Sequence, residues 1–292
     1  MTDQRARGMD ETLRTTKGRA WELTNLVLKC CRTMGIPAAA DYLEWWHDCE
    51  GNYMWPAYYD GKKWVPYGAV ANEPTPEQWI YNNRFAQGAA AKIYRTTYQQ
   101  RGPGIIDHSE WVLATDGQKK TSRKVYDVTS DYAHTCGFRT STFQITGLPQ
   151  AFAGLEGKAY LYINAGWNAD KSPRYFAPVT ASVIENGVAT FKDVAGAPPC
   201  TFFGEQKDNG LFGVFVQHQD GKDGRLQVFR TRAGKDGWPL PVQTINASEM
   251  ITATPREGGK LGLLVYSVPQ GGWEVIEYAT DRIGEIQGPR VN

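Results

Sequence analysis

The sequence lacks any long apolar run. No stretch of its 292 residues is apolar for long enough to cross a bilayer as a helix, and Met1 to Lys17 is polar and charged, without the apolar centre of a signal peptide. It also lacks a charge excess: 32 Lys and Arg stand against 31 Asp and Glu, so no net field advertises nucleic acid, an anionic membrane or another polyanion as partner. The five cysteines, Cys30, Cys31, Cys49, Cys136 and Cys200, are odd in number and form no C-x-x-C pair, which speaks against a disulfide framework and a zinc knuckle. There is no H-E-x-x-H, and Asp220-Gly221-Lys222-Asp223-Gly224 lacks the ligand order of a calcium loop. His108, His134 and His218 belong to no motif. The expectation is a soluble chain with no metal or other cofactor, no nucleic-acid partner and no membrane span. No address in the sequence assigns a compartment.

What is present is a chain long enough for two or three cores, 12% aromatic, with 31 Gly and 16 Pro to punctuate strands. Leu23, Leu26, Val27, Cys30, Cys31 and Met34 recur at helical spacing, so a helix is expected there, stopping at Gly35-Ile36-Pro37. One of the adjacent cysteines should be core and the other more exposed. Aromatic residues flank Asp60-Gly61 from Tyr53 to Tyr67, which reads as a β-hairpin. The Ala-rich composition leading through Lys92-Ile93-Tyr94-Arg95 predicts a second, shorter helix.

From Lys124 onward helix signals vanish. Val125–Val128, Thr142–Ile145, Ala159–Ile163, Val179–Ile184 and Val188–Phe191 alternate, separated by turn residues such as Asn186-Gly187, as an antiparallel β-sandwich requires. Leu211–Val216 followed by Leu226–Phe229 is echoed by Leu261–Tyr266 followed by Trp273–Ile276, so two similar hairpins are expected at the end. The units drawn from this pattern are 1–123, 124–204 and 205–292. The last pair of hairpins should pack on the sandwich or join a neighbouring chain as part of an oligomer.

Three motifs carry a resemblance. Gly18-Arg19-Ala20-Trp21, the helix, and Arg32-Thr33-Met34-Gly35-Ile36-Pro37-Ala38 come first; Gly51-Asn52-Tyr53-Met54-Trp55 and Trp64-Val65-Pro66-Tyr67-Gly68 follow. In this order and spacing they resemble the G-x-C-W, R-x-x-G-I-P-A, G-x-H-x-W and W-x-P-F-D segments of transglutaminase-like domains, most closely those of large Bacteroidetes proteins. The resemblance covers roughly Gly18 to Phe203 and is weaker beyond Lys124. It implies an α+β fold with a papain-type core, followed here by an antiparallel β-sandwich and a β-rich C-terminal unit. The resembled family is usually exported.

In that family a helix start stabilises a thiolate, a His moves its proton and an Asp orients the His. The corresponding positions here are Ala20, Tyr53 and Gly68. Ala20 has no nucleophilic atom, Tyr53 is a poor base at an ordinary pKa of about 10, and Gly68 orients nothing. The expectation is therefore a non-catalytic protein that binds or scaffolds. Its cleft would be lined by Trp21, Trp45, Trp46, Tyr53, Trp55 and Tyr67, for a peptide, protein or glycan ligand.

Two rival readings stay open. One is a cysteine-dependent transglutaminase or peptidase with a relocated nucleophile at Cys30, Cys31 or Cys49, although both helical cysteines fall on the apolar stripe. The other is a structural subunit of an assembly. His47-Asp48-Cys49 is read as a hydrogen-bonded loop histidine beside a buried cysteine, and Asp41, Asp48 and Glu50 around it as solvated rather than as metal ligands.

Overall fold

The computed structural model describes residues 8–15, 17–47, 52–67, 90–107, 123–148, 157–167, 173–196, 200–202, 205–207, 210–217, 224–255, 261–267 and 272–279. Helices α1 (Met9–Thr15) and α2 (Ala20–Thr33) open it. Between them Gly18 is packed so tightly that a Cβ would stand 3.2 Å from both Leu23 and Thr12. Helix α2 ends as its sequence dictates: Gly35 takes φ 74°, and Ile36 N–H reaches back to the Cys31 carbonyl at 2.9 Å. Its buried line differs from the expected stripe. Thr24, Leu28 and Cys31 are buried, whereas Cys30 is exposed and Met34 is 66% exposed. Thr24 belongs to the buried line because its hydroxyl donates to the Met54 carbonyl at 3.3 Å, a contact that hydrophobicity cannot announce.

A six-stranded sheet follows, built from β1 (Ala38–Leu43), β2 (Tyr53–Tyr59), β3 (Trp64–Pro66), β4 (Tyr94–Thr96), β5 (Ile105–Asp107) and β6 (Lys124–Asp127) in the order β3-β2-β1-β4-β6-β5. The β2–β3 hairpin forms around Asp60-Gly61, where Asp60 Oδ1 accepts from the backbone N–H of Lys62 at 2.7 Å and of Lys63 at 2.8 Å. The helix expected at Lys92–Arg95 is absent. Tyr94 and Arg95 are in β4, held between β1 and β6 by register pairs Asp41↔Arg95 and Arg95↔Tyr126. Pairing with two neighbours overrides a local composition that favours a helix.

Helix α3 (Thr129–Cys136) interrupts what the sequence reads as pure β-structure. Its start was signalled locally: Asp127 Oδ1 accepts from the Thr129 N–H at 3.0 Å and hydroxyl at 2.6 Å, and Gly137 closes it at φ 75°.

The remaining strands are β7 (Arg139–Thr146), β8 (Lys158–Trp167), β9 (Pro173–Glu185), β10 (Val188–Gly196), β11 (Cys200–Phe202), β12 (Glu205–Lys207), β13 (Leu211–Gln217), β14 (Gly224–Arg230), β15 (Val242–Asn246), β16 (Ile251–Pro255), β17 (Leu261–Ser267) and β18 (Gly272–Ala279). Apart from the small β11–β12 pair, they form one sheet in the order β15-β7-β10-β9-β17-β18-β16-β14-β13-β8. A further β8–β9 pairing curls the part from β9 round to β8 into a closed ring. The β9–β10 hairpin turns at Asn186 and Gly187, with φ 51° and 75°, as an Asn-Gly turn demands.

Both echoed segments are hairpins, β13–β14 and β17–β18. Their outer edges pair within the chain, with β8, β16 and β9. Strands on either side of residue 205 therefore share hydrogen bonds. Likewise β6, expected as the first sandwich strand, pairs with β4 and β5 of the first sheet.

Phe143, Leu161, Ile163, Phe191, Phe212, Val214 and Ile245 fill the interior of the larger sheet. The first sheet docks on it through Tyr94, whose hydroxyl donates to the Val179 carbonyl at 2.7 Å, and through Lys92. A register shift in β10 between Phe191 and Val194 frees the Lys192 carbonyl, which Lys92 reaches at 2.5 Å while its ammonium also pairs with Asp127. The coarse picture is thus a sheet-rich α+β fold with curled sheets. Among the described residues no helix is long and apolar enough to cross a membrane.

Candidate functional site

Helix α2 begins at Ala20, and its free N–H end would attract a thiolate if one were there. Beside that end lies the helix's own acid. The Glu22 carboxylate, 5% exposed, accepts from the Arg19 N–H at 2.7 Å.

Alternation along the strands decides what faces the helix. Register pairs Tyr42↔Met54 and Tyr42↔Tyr94 put these side chains on one face of the small sheet, and pairs Leu43↔Tyr53 and Asp41↔Trp55 put theirs on the other. Helix α2 lies on the Met54 face, where Cys31 Sγ meets the Tyr67 hydroxyl at 3.5 Å. Helix α3 lies on the Trp55 face, where Trp55 Nε1 donates to the Tyr132 hydroxyl at 2.6 Å.

This separates the expected cleft residues. Trp21, 37% exposed, and Tyr53 share the rim of a groove of about 600 Å³ between α2, β1, β2 and the segment after β4. Yet the Tyr53 ring stacks on Trp55 at 5.7 Å and leans on Trp46 at 6.4 Å, on the α3 side. Trp46 and Trp55 are buried at 4% and 1% and offer no surface to a ligand. Trp45 packs against the core of the larger sheet, and Tyr67 packs beside Cys31 and Tyr58. Gly68 lies outside the described residues, as do Asp48, Cys49, Glu50, His108 and His218.

The groove is furnished by residues that no motif marks: Asn25 and Leu28 from α2, Glu44 after β1, Thr96 and Tyr98 at the end of β4, and Arg123. Arg123 stands over the Tyr42 ring at 5.1 Å, and Arg32 lies 4.7 Å over Tyr98 while donating to its hydroxyl at 2.8 Å. Rings with charged and amide groups between them can take hydroxyl-rich or peptide-like ligands. Burial, with the Cys31 thiol next, pushes the Tyr67 phenol up, so it keeps its proton and cannot activate that sulfur.

Of the residues read as a solvated loop and its histidine, Asp41 and His47 are described, and both are buried. Asp41 is fully buried, held by Arg95 through Nε to Oδ1 at 2.7 Å and Nη2 to Oδ2 at 2.6 Å, and it accepts from the Tyr132 hydroxyl at 2.7 Å. Burial raises the Asp41 carboxyl against the pull of Arg95. Burial also works against the Arg95 charge, but its bonds to Asp41 outweigh that and raise it. The sequence did carry a hint, an acid inside the apolar strand Ala38–Leu43.

His47 is 3% exposed, and among the described residues neither ring nitrogen has a hydrogen-bond partner. Its ring meets Phe212 edge-on at 5.0 Å, and burial lowers its pKa to about 3. A buried imidazole held neutral differs from the hydrogen-bonded loop histidine that the sequence suggests. Among the described residues no group of three or more His, Cys, Asp and Glu is placed to hold a metal.

Comparison with known proteins adds one finding. Residues 2–69 match the sequence model of the transglutaminase-like superfamily, a span that contains Ala20, Tyr53 and Gly68. No curated protein and no solved structure matches the chain.

Proposed function

We propose that this protein is a non-catalytic relative of transglutaminase-like domains, with a papain-type ancestry for its first hundred or so residues, that binds a peptide or glycan in the groove beside the start of α2. One observation carries the reading. Where a thiolate would sit, Ala20 offers a methyl group, and the buried Glu22 carboxylate in the same helical turn would repel a second negative charge there. The neighbouring Trp21 and Tyr98, the latter 77% exposed, leave ring surface open to a ligand at the same place. Function is argued from these side chains, because a shared fold hosts many activities.

The test has two arms. Amine incorporation into casein and hydrolysis of a peptide library should both stay at the uncatalysed rate. Hits from a glycan array and a heptapeptide display library should bind the wild type in calorimetry and lose about tenfold or more in affinity in Trp21→Ala. Turnover that disappears on replacing Cys30, Cys31 or Cys49 would establish the relocated-nucleophile enzyme instead. Hits indifferent to both Trp21→Ala and Tyr98→Ala would remove the groove from the account.

A further inference from the structure

A second cleft, of about 450 Å³, opens on the other face of the small sheet, between the β2–β3 hairpin and α3. Its aromatic wall is Tyr59 and Trp64, ring centroids 5.6 Å apart. The opposite wall is the exposed flank of α3, with Ser130, Asp131, His134 and Thr135, and Lys62 and Lys63 stand at the hairpin mouth.

At its base is Arg95. A guanidinium has two hydrogen-bonding forks, and the side fork, Nε and Nη2, is consumed by Asp41. The end fork is different. Nη1 has no hydrogen-bond partner among the described residues and is not among the nitrogens sealed from solvent, while Arg95 itself lines the cleft. The Trp64 ring covers the guanidinium plane at 4.5 Å, so two contacts fix its orientation before any ligand arrives. A planar fork held this way suits a carboxylate, and pre-organisation lowers the ordering cost of binding it.

Charge narrows the choice further. Asp41 balances Arg95, leaving Lys62 and Lys63 against Asp131 and so a mild positive surplus. Asp131 would repel a run of acidic peptide side chains but accepts hydrogen bonds from hydroxyls. The Ser130 and Thr135 hydroxyls and the two rings likewise suit a compact, hydroxylated ring with one negative group.

We infer that this cleft is a second binding site, for a carboxylated sugar: the uronate group meets the open fork of Arg95 and the lysines, and the pyranose ring lies along Tyr59 and Trp64. The site is separate from the α2 groove, and neither depends on the other.

Titration of the full chain with trigalacturonate, followed by calorimetry and tryptophan fluorescence, tests it. One molecule binds per chain with a dissociation constant of about 1 mM or tighter, and the neutral galactose trimer binds at least about tenfold more weakly. Trp64→Ala weakens trigalacturonate binding by about tenfold or more. The double variant Lys62→Glu/Lys63→Glu, both positions exposed on the turn and outside any core, weakens it and flattens its salt dependence. Equal affinity for the neutral trimer overturns the proposal, as does indifference to both the Trp64 and the lysine substitutions. Tighter binding of triglutamate than of trigalacturonate makes the site an acidic-peptide site and overturns it too.

Discussion

Behind the small sheet, Trp55, Tyr132, Asp41 and Arg95 meet through a chain of directed hydrogen bonds of 2.6–2.7 Å; inside the large one, Phe143, Phe212 and Phe229 meet only through ring edges and faces 5.0–5.8 Å apart. Both groups are almost wholly buried. They differ in what a defect costs. A ring cluster has no donors or acceptors to strand, so a smaller apolar side chain loses contacts and leaves a cavity. A buried polar chain fixes orientation at every link, and removing one link leaves the next one charged or unpaired in a dry place. That is why the polar side of the molecule can hold Arg95 in one pose beneath an open cleft, a task for which the phenylalanine cluster has no means.

The sharpest way to break this contrast is to remove the acid. Asp41→Ala strands the Arg95 guanidinium and is expected to lower unfolding free energy by about 3–5 kcal/mol. The pair Asp41→Leu with Arg95→Met is expected to recover most of the loss, because matched apolar replacements of buried ion pairs are often neutral or better. Denaturant midpoints of Asp41→Ala, of Asp41→Leu and Arg95→Met alone, and of that double variant measure it. A loss below about 1 kcal/mol in Asp41→Ala, or a double variant as weak as the sum of the singles, would show that the chain is not coupled as its geometry indicates.

How much of this was legible follows the range of the interactions. Gly35, Asp60-Gly61 and Asn186-Gly187 act within a few residues, and their turns and the α2 stop appear where the sequence puts them. The α3 start was also written locally, in Asp127 and Thr129, beneath an apparent absence of helix signals. Strand partners beyond the hairpins were not legible. Lys92–Arg95 looks helical until β1 and β6 are placed beside it, and Asp41 looks solvated until Arg95, 54 residues away, is brought to it. The candidate cleft suffered most. Motif order leads one to expect Tyr53 and Trp55 beside Ala20 in one cleft, but which sheet face each side chain takes depends on register and on where α2 and α3 dock, and those are long-range facts.

His47 tests the boundary between the two regions, since its ring comes from the segment after β1 and lies against Phe212 of the large sheet. Its folded pKa of about 3 lies below the ordinary value of about 6.5, so the fold favours the neutral ring. Above about pH 6.5 both folded and unfolded chains are neutral here and the contribution is complete. As pH falls below that, the unfolded chain takes up a proton that the folded chain refuses. Stability then drops by up to about 1.4 kcal/mol per pH unit until pH nears 3. Between pH 6.5 and 5 the wild type should lose about 2 kcal/mol more than His47→Leu, read from urea midpoints of both proteins. Equal losses would mean that water or a partner reaches the imidazole.

The smallest effect sharpens the comparison by repeating its chemistry in the open. Arg232 Nη2 and Glu249 Oε2 also form an Arg–carboxylate pair, at 3.0 Å, but their side chains are 58% and 57% exposed. Water competes for both ions, and holding two long side chains in one geometry costs entropy. Arg232→Gln is therefore expected to change stability by less than about 0.5 kcal/mol, against several for Asp41→Ala. Thermal unfolding of the two variants side by side measures the ratio. If Arg232→Gln proved as damaging as Asp41→Ala, burial would not be what gives the Asp41–Arg95 pair its weight, and the argument that a dry, fully engaged acid holds Arg95 ready for a ligand would lose its physical basis.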